Sequence, residues 1–351
     1  MSAKRFVTIL IVLPLLALLC CAGIVYAIDP AMQYHAPFFG ISQIYNDERS
    51  QNAGLATSAD YDTIILGSSV TSNFRVSWFE EAFGCKAVKL CYPGGTFSDY
   101  DAVLETAYRS HDVKTVFWCV DPQLLVQSPG NPTPLPDYLY DDSLWNDYKY
   151  LLNKDVLLKQ CAPAVLATLR GEQPSYDEAF VWDHGYEYSV VKATESYDRP
   201  AMSAVQYPAD YYDAVAAENW AILDKWIEGH PETTFYLYFP PYSTLYLDQQ
   251  LRLGMREPTR KMLSATMQRY MDRENVRFYN FLVDPVTTNF DNYTDMVHYR
   301  SEVNRYLVNY MAENEPYDAE RLQWFISALD YRADHYKFDT LFSEYYHPSE
   351  E

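Results

Sequence analysis

Three residues of this chain have the types and spacing to do nucleophilic chemistry. Ser69 closes the run Gly67-Ser68-Ser69, and Asp295 precedes His298 by three positions. A serine hydroxyl is a weak nucleophile until an imidazole removes its proton. The imidazole in turn needs a carboxylate to hold its tautomer and stabilise its charged form. On a turn leading into a helix, Asp295 can meet one ring nitrogen of His298 and leave the other facing a hydroxyl. Of the seven histidines, only His298 has an Asp three residues before it. Asp183-His184 could hint at metal ligation, but it has no second His nearby and reads as a surface loop. Glu344 and His347 read as solvated surface near the C-terminus.

Something must bring Ser69 and His298 together across the chain. Short apolar, β-branched or aromatic runs at 62–69, 86–92, 115–120, 233–239 and 276–281 read as five buried strands. Helical spacing recurs at 98–109, 209–229, 257–273, 301–313 and 317–332. Strands alternating with helices predict an α/β fold. The expected form is a flavodoxin-like parallel five-stranded sheet in three αβα layers. In such sheets ligands sit at the carboxyl ends of the strands. The first strand delivers Ser69 there, the second Gly94-Gly95-Thr96, the third Asp121, and the fourth Pro240-Pro241-Tyr242-Ser243. Tyr242 is a candidate to line the mouth. Residues 122–208, rich in Pro, Tyr and Asp, interrupt the pattern and read as a cap inserted over the sheet.

The N-terminus speaks to location. Lys4 and Arg5 precede a charge-free stretch from Phe6 to Ile28, and a helix of about 20 such residues spans a bilayer core. The basic flank places the N-terminus inside and the remainder outside, as a single-pass cell-membrane protein. The alternative is a signal peptide cleaved near Val25-Tyr26-Ala27, giving a secreted protein. Cys20 and Cys21 lack the small preceding residue of a lipidation site. The expected organisation is an anchor at 1–28, a lead-in at 29–60, an α/β domain at 61–313 carrying the insertion 122–208, and a helical, acidic extension at 314–351.

Composition excludes classes. The chain has 351 residues and a formal net charge of −21, and the part beyond residue 28 carries −23. That balance argues against nucleic acid as a partner and against a peripheral grip on anionic lipid. Apolar residues at 48% allow a sizeable core. Cys85, Cys91, Cys119 and Cys161 do not form a disulfide framework and lack zinc spacing. Buried thiols are expected, with a Cys85–Cys91 bridge as the alternative. No metal or cofactor is called for. Tyrosine is abundant, at 33 residues, which is compatible with sugar stacking and equally with core filling.

The blocks Ile64-Ile65-Leu66-Gly67-Ser68-Ser69, Pro93-Gly94-Gly95-Thr96 and Asp295-x-x-His298 together resemble those of the SGNH/GDSL hydrolase superfamily. The likeness is closest to its bacterial membrane-anchored branch, which includes the D-alanyl-transfer protein of teichoic acid synthesis and exopolysaccharide O-acetyl-transfer enzymes. It covers roughly residues 60–125 and 230–313. It implies Ser69 as nucleophile, His298 as general base, Asp295 as its orienting partner, and the N–H groups of Ser69 and Gly94 as oxyanion donors. Ser68 stands where the family usually has Asp, a change common in this branch. Asp121 stands where the family commonly has an Asn donor, and an ionised carboxylate cannot donate to an oxyanion. Asp121 is therefore expected to be structural, to bind a substrate hydroxyl, or to be protonated. The function implied is a cell-surface serine esterase or O-acyltransferase acting on acylated envelope glycans, in company with other envelope acyl-transfer proteins. The alternative is an idle member that binds or scaffolds glycan.

Overall fold

The computed structural model describes residues 3–130, 134–141 and 143–346. Five strands form one parallel sheet: β1 (Thr63–Gly67), β2 (Ala87–Cys91), β3 (Thr115–Cys119), β4 (Thr234–Phe239) and β5 (Val276–Asn280). Their order is β2-β1-β3-β4-β5, the flavodoxin-like arrangement with helices on both faces. Every expected strand is present and is shortened by one to three residues at its ends. Burial on both faces explains the near-continuous apolar runs. Among the strands buried throughout, β2 holds a charge, Lys89. It is fully buried, and its ammonium donates to the carbonyls of Ser72 and Phe74 at 2.7 Å each.

The helices follow the same logic. Asp213–Gly229 and Arg256–Tyr270 pack together, as do Val76–Phe83 and Ser301–Glu313. Lys225 and Trp226 both donate to Asp101, at 2.6 and 2.8 Å, which ties Asp213–Gly229 to the helix Phe97–Ser110 between β2 and β3. Thirteen of the 33 tyrosines are buried, and Tyr92, Tyr100, Tyr238, Tyr270, Tyr279 and Tyr299 are among the largest fully buried side chains. All six cysteines are free, and Cys91 accepts from the Ser72 hydroxyl rather than pairing with Cys85.

The chain divides into two compact units. One comprises Met1–Asp60, Ala102–His111 and Thr133–Phe180; the other comprises Tyr61–Asp101, Asp112–Pro132 and Val181–Glu351 and holds the sheet. The interrupting segment 122–208 is thus shared between them. In the first unit, the helix Ala3–Ile28 is long and apolar enough to cross a membrane. Its last turn is built into that unit's core, where Val25 and Ile28 are buried with Ala53, Leu139, Tyr150 and Cys161. Asp29, directly after it, accepts from the N–H groups of Gln33, Tyr34 and His35 and from the Tyr150 hydroxyl.

Candidate active site

Strand order reverses between β1 and β3, and such a switch point opens a crevice at the carboxyl ends of the strands. Ser68 and Ser69 leave β1 there, and Asp121 follows β3 closely. The turn after β1 is tight enough to require glycine. A Cβ on Gly67 would lie 2.1 Å from Thr71 Oγ1 and 2.7 Å from Cys119 Cβ. Ser69 then opens the short helix Ser69–Ser72, so its N–H has no acceptor within that helix. Lys89 and Asn304 fasten this segment from below: Asn304 is fully buried and donates to the Val70 carbonyl at 2.9 Å.

Asp295 and His298 arrive on a loop pinched by a bridge between Tyr293 and Tyr299. One carboxylate oxygen of Asp295 accepts from the backbone N–H groups of Val297 and His298, both at 2.8 Å. The other oxygen lies 2.7 Å from His298 Nδ1. The end of β4 clamps this loop. The N–H and hydroxyl of Ser243 both donate to the Met296 carbonyl, and Tyr293 donates its hydroxyl to the Pro241 carbonyl at 2.7 Å. His298 Nε2 is thereby held 2.8 Å from Ser69 Oγ. Burial pushes the Asp295 carboxyl up, but the hydrogen bonds and charge of His298 and the two backbone donors outweigh it. The group sits below the ordinary carboxylate range. The arrangement can pass a proton from the Ser69 hydroxyl to the imidazole while an ionised Asp295 supports the resulting charge.

Gly94 is exposed, with a left-handed φ of 64°, and a Cβ there would meet only open space. The neighbouring Gly95 is the one that packing demands, since its Cβ would fall 2.5 Å from that of Tyr92. Thr96 and Asp99 close the turn: the Asp99 carboxylate accepts the Thr96 N–H at 2.9 Å and starts the following helix.

Asp121 and Tyr242 do not line a mouth. Both are buried, at 4% and 1% exposure. One Asp121 oxygen accepts the Tyr242 hydroxyl and the Gln123 N–H; the other accepts the Ser68 hydroxyl at 2.9 Å. Pro240-Pro241 ends the fourth strand as expected, but Tyr242 after it turns inward onto Asp121. Asp121 caps a short helix and orients Ser68, the residue before Ser69. Burial is the main cause of its raised pKa, opposed by those same donors. Asp121→Ala is expected to cost about 3 kcal/mol, because it strands a buried hydroxyl and removes a cap. Asp121→Asn keeps one acceptor and can donate to Ser68 Oγ, so it should cost far less. A raised carboxyl favours the native state in acid and loses that advantage as pH rises through its native value. Wild type should therefore gain on Asp121→Asn as pH falls below neutral. Thermal unfolding of the detergent-solubilised chain across pH measures both effects.

One residue of this site had no signal in sequence. Trp182 donates its indole N–H to the Ser69 carbonyl at 2.8 Å, and its own backbone N–H donates to buried Asn73 at 3.1 Å. Its ring stands edge-on to the His298 imidazole, with centroids 5.1 Å apart at 87°. It lies in an irregular stretch with no periodicity, beside the Asp183-His184 pair. Asp183 accepts from the Ser301 N–H and hydroxyl at the start of Ser301–Glu313, and His184 is exposed. Among the described residues no His, Cys, Asp or Glu group could hold a metal ion. His347 lies outside the described residues. Trp182→Phe keeps the ring and deletes the donor. It should lower kcat/KM for an ester about tenfold with the fold intact, a loss of one hydrogen bond's worth of positioning.

No family model matches the chain, and no curated protein does. One solved structure that it resembles is provisionally described as a platelet activating factor from Streptococcus pneumonia. Sequence identity is 13%, covering 80% of this chain and 91% of that one, with a TM-score of 0.38. A likeness of that size fixes no chemistry for this chain.

Proposed function

We propose that this chain is a serine esterase or O-acyltransferase of SGNH/GDSL type, acting on acyl groups of envelope or extracellular glycans. The observation that carries the reading is the unbroken relay from Ser69 Oγ to His298 Nε2 at 2.8 Å and from His298 Nδ1 to Asp295 at 2.7 Å. Ser69 attacks the ester carbonyl as its proton passes to His298. The N–H groups of Ser69 and Gly94 receive the oxyanion of the tetrahedral intermediate. His298 then protonates the leaving alcohol, and an acyl-serine remains. Water or a sugar hydroxyl, deprotonated in turn by His298, completes hydrolysis or transfer. Asp121 does not oppose this, because both its oxygens are committed to donors around Ser68 and Tyr242.

The location proposed is the cell membrane. Ala3–Ile28 acts as a retained anchor with its N-terminus inside, and the catalytic unit lies outside with acylated glycan and other envelope acyl-transfer proteins as partners. The burial of Val25 and Ile28 in a folded core supports retention over cleavage. A fluorophosphonate probe applied to the full chain tests the chemistry. Covalent labelling of wild type that disappears in Ser69→Ala supports it. An unlabelled wild type under conditions that label other serine hydrolases would favour an idle glycan-binding protein.

A further inference from the structure

The first compact unit exposes apolar side chains that water does not explain. Trp145 is 93% exposed, Leu169 80% and Leu144 78%, and Tyr148, Leu152 and Leu158 also stand out from the surface. The helix Val156–Leu169 is apolar on two sides. Val156, Cys161, Ala164 and Ala167 face the unit's core, while Leu158, Val165, Leu166 and Leu169 face outward. A helix with apolar residues on both faces, its one charge here that of Lys159, is at home where both of its surroundings are apolar. Exposed apolar clusters of this kind mark an interaction surface.

The anchor helix identifies the medium. A groove of about 520 Å³ has Leu15, Leu18, Leu19 and Ala22 of that helix on one wall and Leu144, Trp145, Leu151 and Leu152 on the other. If the anchor crosses a bilayer, the opposite wall of its own groove lies at the same depth. Counted back from Ile28, Ala22 lies about 9 Å and Leu15 about 20 Å along the helix. The Ala22 end of the groove falls within the roughly 5–10 Å to which an interfacial amphipathic helix sinks into the headgroup and acyl boundary, and the Leu15 end reaches deeper. Charge agrees. Residues 144–170 hold Lys149, Lys154, Lys159 and Arg170 against Asp147 and Asp155, in a chain whose net charge is −21. Basic residues flanking an apolar face, with Trp and Tyr among them, are the composition of a membrane interface.

The geometry points to a second membrane contact beside the anchor: residues 144–169 lie in the outer boundary of the same leaflet that the C-terminal end of Ala3–Ile28 enters, with acyl chains filling the groove. The strong overall negative charge, which argues against a grip on anionic lipid, is overridden locally. This inference rests on the anchor being retained and spanning, and not on the serine chemistry.

Trp145 is the only tryptophan of the first unit; the other six of the seven belong to the second. The full chain, still carrying residues 1–28, is reconstituted into phosphatidylcholine–phosphatidylglycerol nanodiscs whose acyl chains are brominated near the headgroup or near the bilayer centre. Bromine near the headgroup should quench a component of the emission that Trp145→Phe removes, and should do so more strongly than deep bromine. Adding Leu158→Trp to Trp145→Phe should restore the quenched component, which guards against a misfolded variant. Equal fractional quenching in wild type and Trp145→Phe, or no restoration by Leu158→Trp, overturns the inference and leaves a protein partner as the cover for this face. Serine-probe labelling on the same samples reads the catalytic proposal separately.

Discussion

Ser69→Ala and His298→Ala should each lower kcat for a simple acetate ester by on the order of 10⁵–10⁶, and the double variant should fall scarcely further. The reason lies in how the two groups are joined. Ser69 Oγ and His298 Nε2 are 2.8 Å apart, so proton removal and attack form one event. Deleting either partner removes the whole event, while the oxyanion donors and binding surface stay behind to give a small residual rate. Steady-state rates of the three variants measure this. Effects that multiply would mean that the two side chains act independently. Turnover in Ser69→Ala within about tenfold of wild type would remove Ser69 from the chemistry.

Asp295→Asn is expected to cost about 10⁴ in kcat with little change in fold. The amide oxygen can keep the backbone N–H bonds of Val297 and His298, so the loop should hold. The amide NH₂ then faces His298 Nδ1, where the carboxylate oxygen now lies at 2.7 Å. That swap turns the imidazole to the tautomer whose Nε2 carries a proton, and Nε2 can no longer accept from Ser69. The same substitution has a stability signature. A carboxyl held below its ordinary range stabilises the native state above its unfolded value and loses that contribution as pH falls through its native value. The stability advantage of wild type over Asp295→Asn should therefore persist at neutral pH and fade in acid beneath the usual carboxylate range. Paired thermal unfolding curves across pH check it, and an advantage that grows on acidification would contradict the assignment.

The strands were legible because a parallel sheet buried on both faces writes itself as short apolar runs. β3, from Thr115 to Cys119, is such a run. Lys89 breaks such a run, and its two carbonyl acceptors belong to a segment fifteen or more residues upstream, beyond local pattern. The pairing of Asp295 with His298 was legible because it is local; its meeting with Ser69 was inferred from strand order. Trp182 was not legible, because its partners Ser69 and Asn73 lie over a hundred residues away and no period marks its surroundings. Tyr242 was misplaced because it follows a strand end, whereas tertiary packing draws it onto Asp121. The first compact unit was hidden for a related reason: it assembles three separated stretches, and the expected boundaries followed chain order.

The loop between Tyr293 and Tyr299 carries both His298, the proposed base, and Asp295, the group that would orient it. Their separation is therefore a local quantity, kept by a few neighbouring bonds and indifferent to adjustments elsewhere in the molecule. Within the proposed triad, only one distance has to be maintained by the tertiary fold, the one joining His298 to a hydroxyl 229 positions earlier. The triad has a single long-range joint, with Ser243 gripping one side of it and Lys89 and Asn304 the other. For the triad alone, distant sequence change has one tolerance to respect, the hydrogen bond between His298 and Ser69.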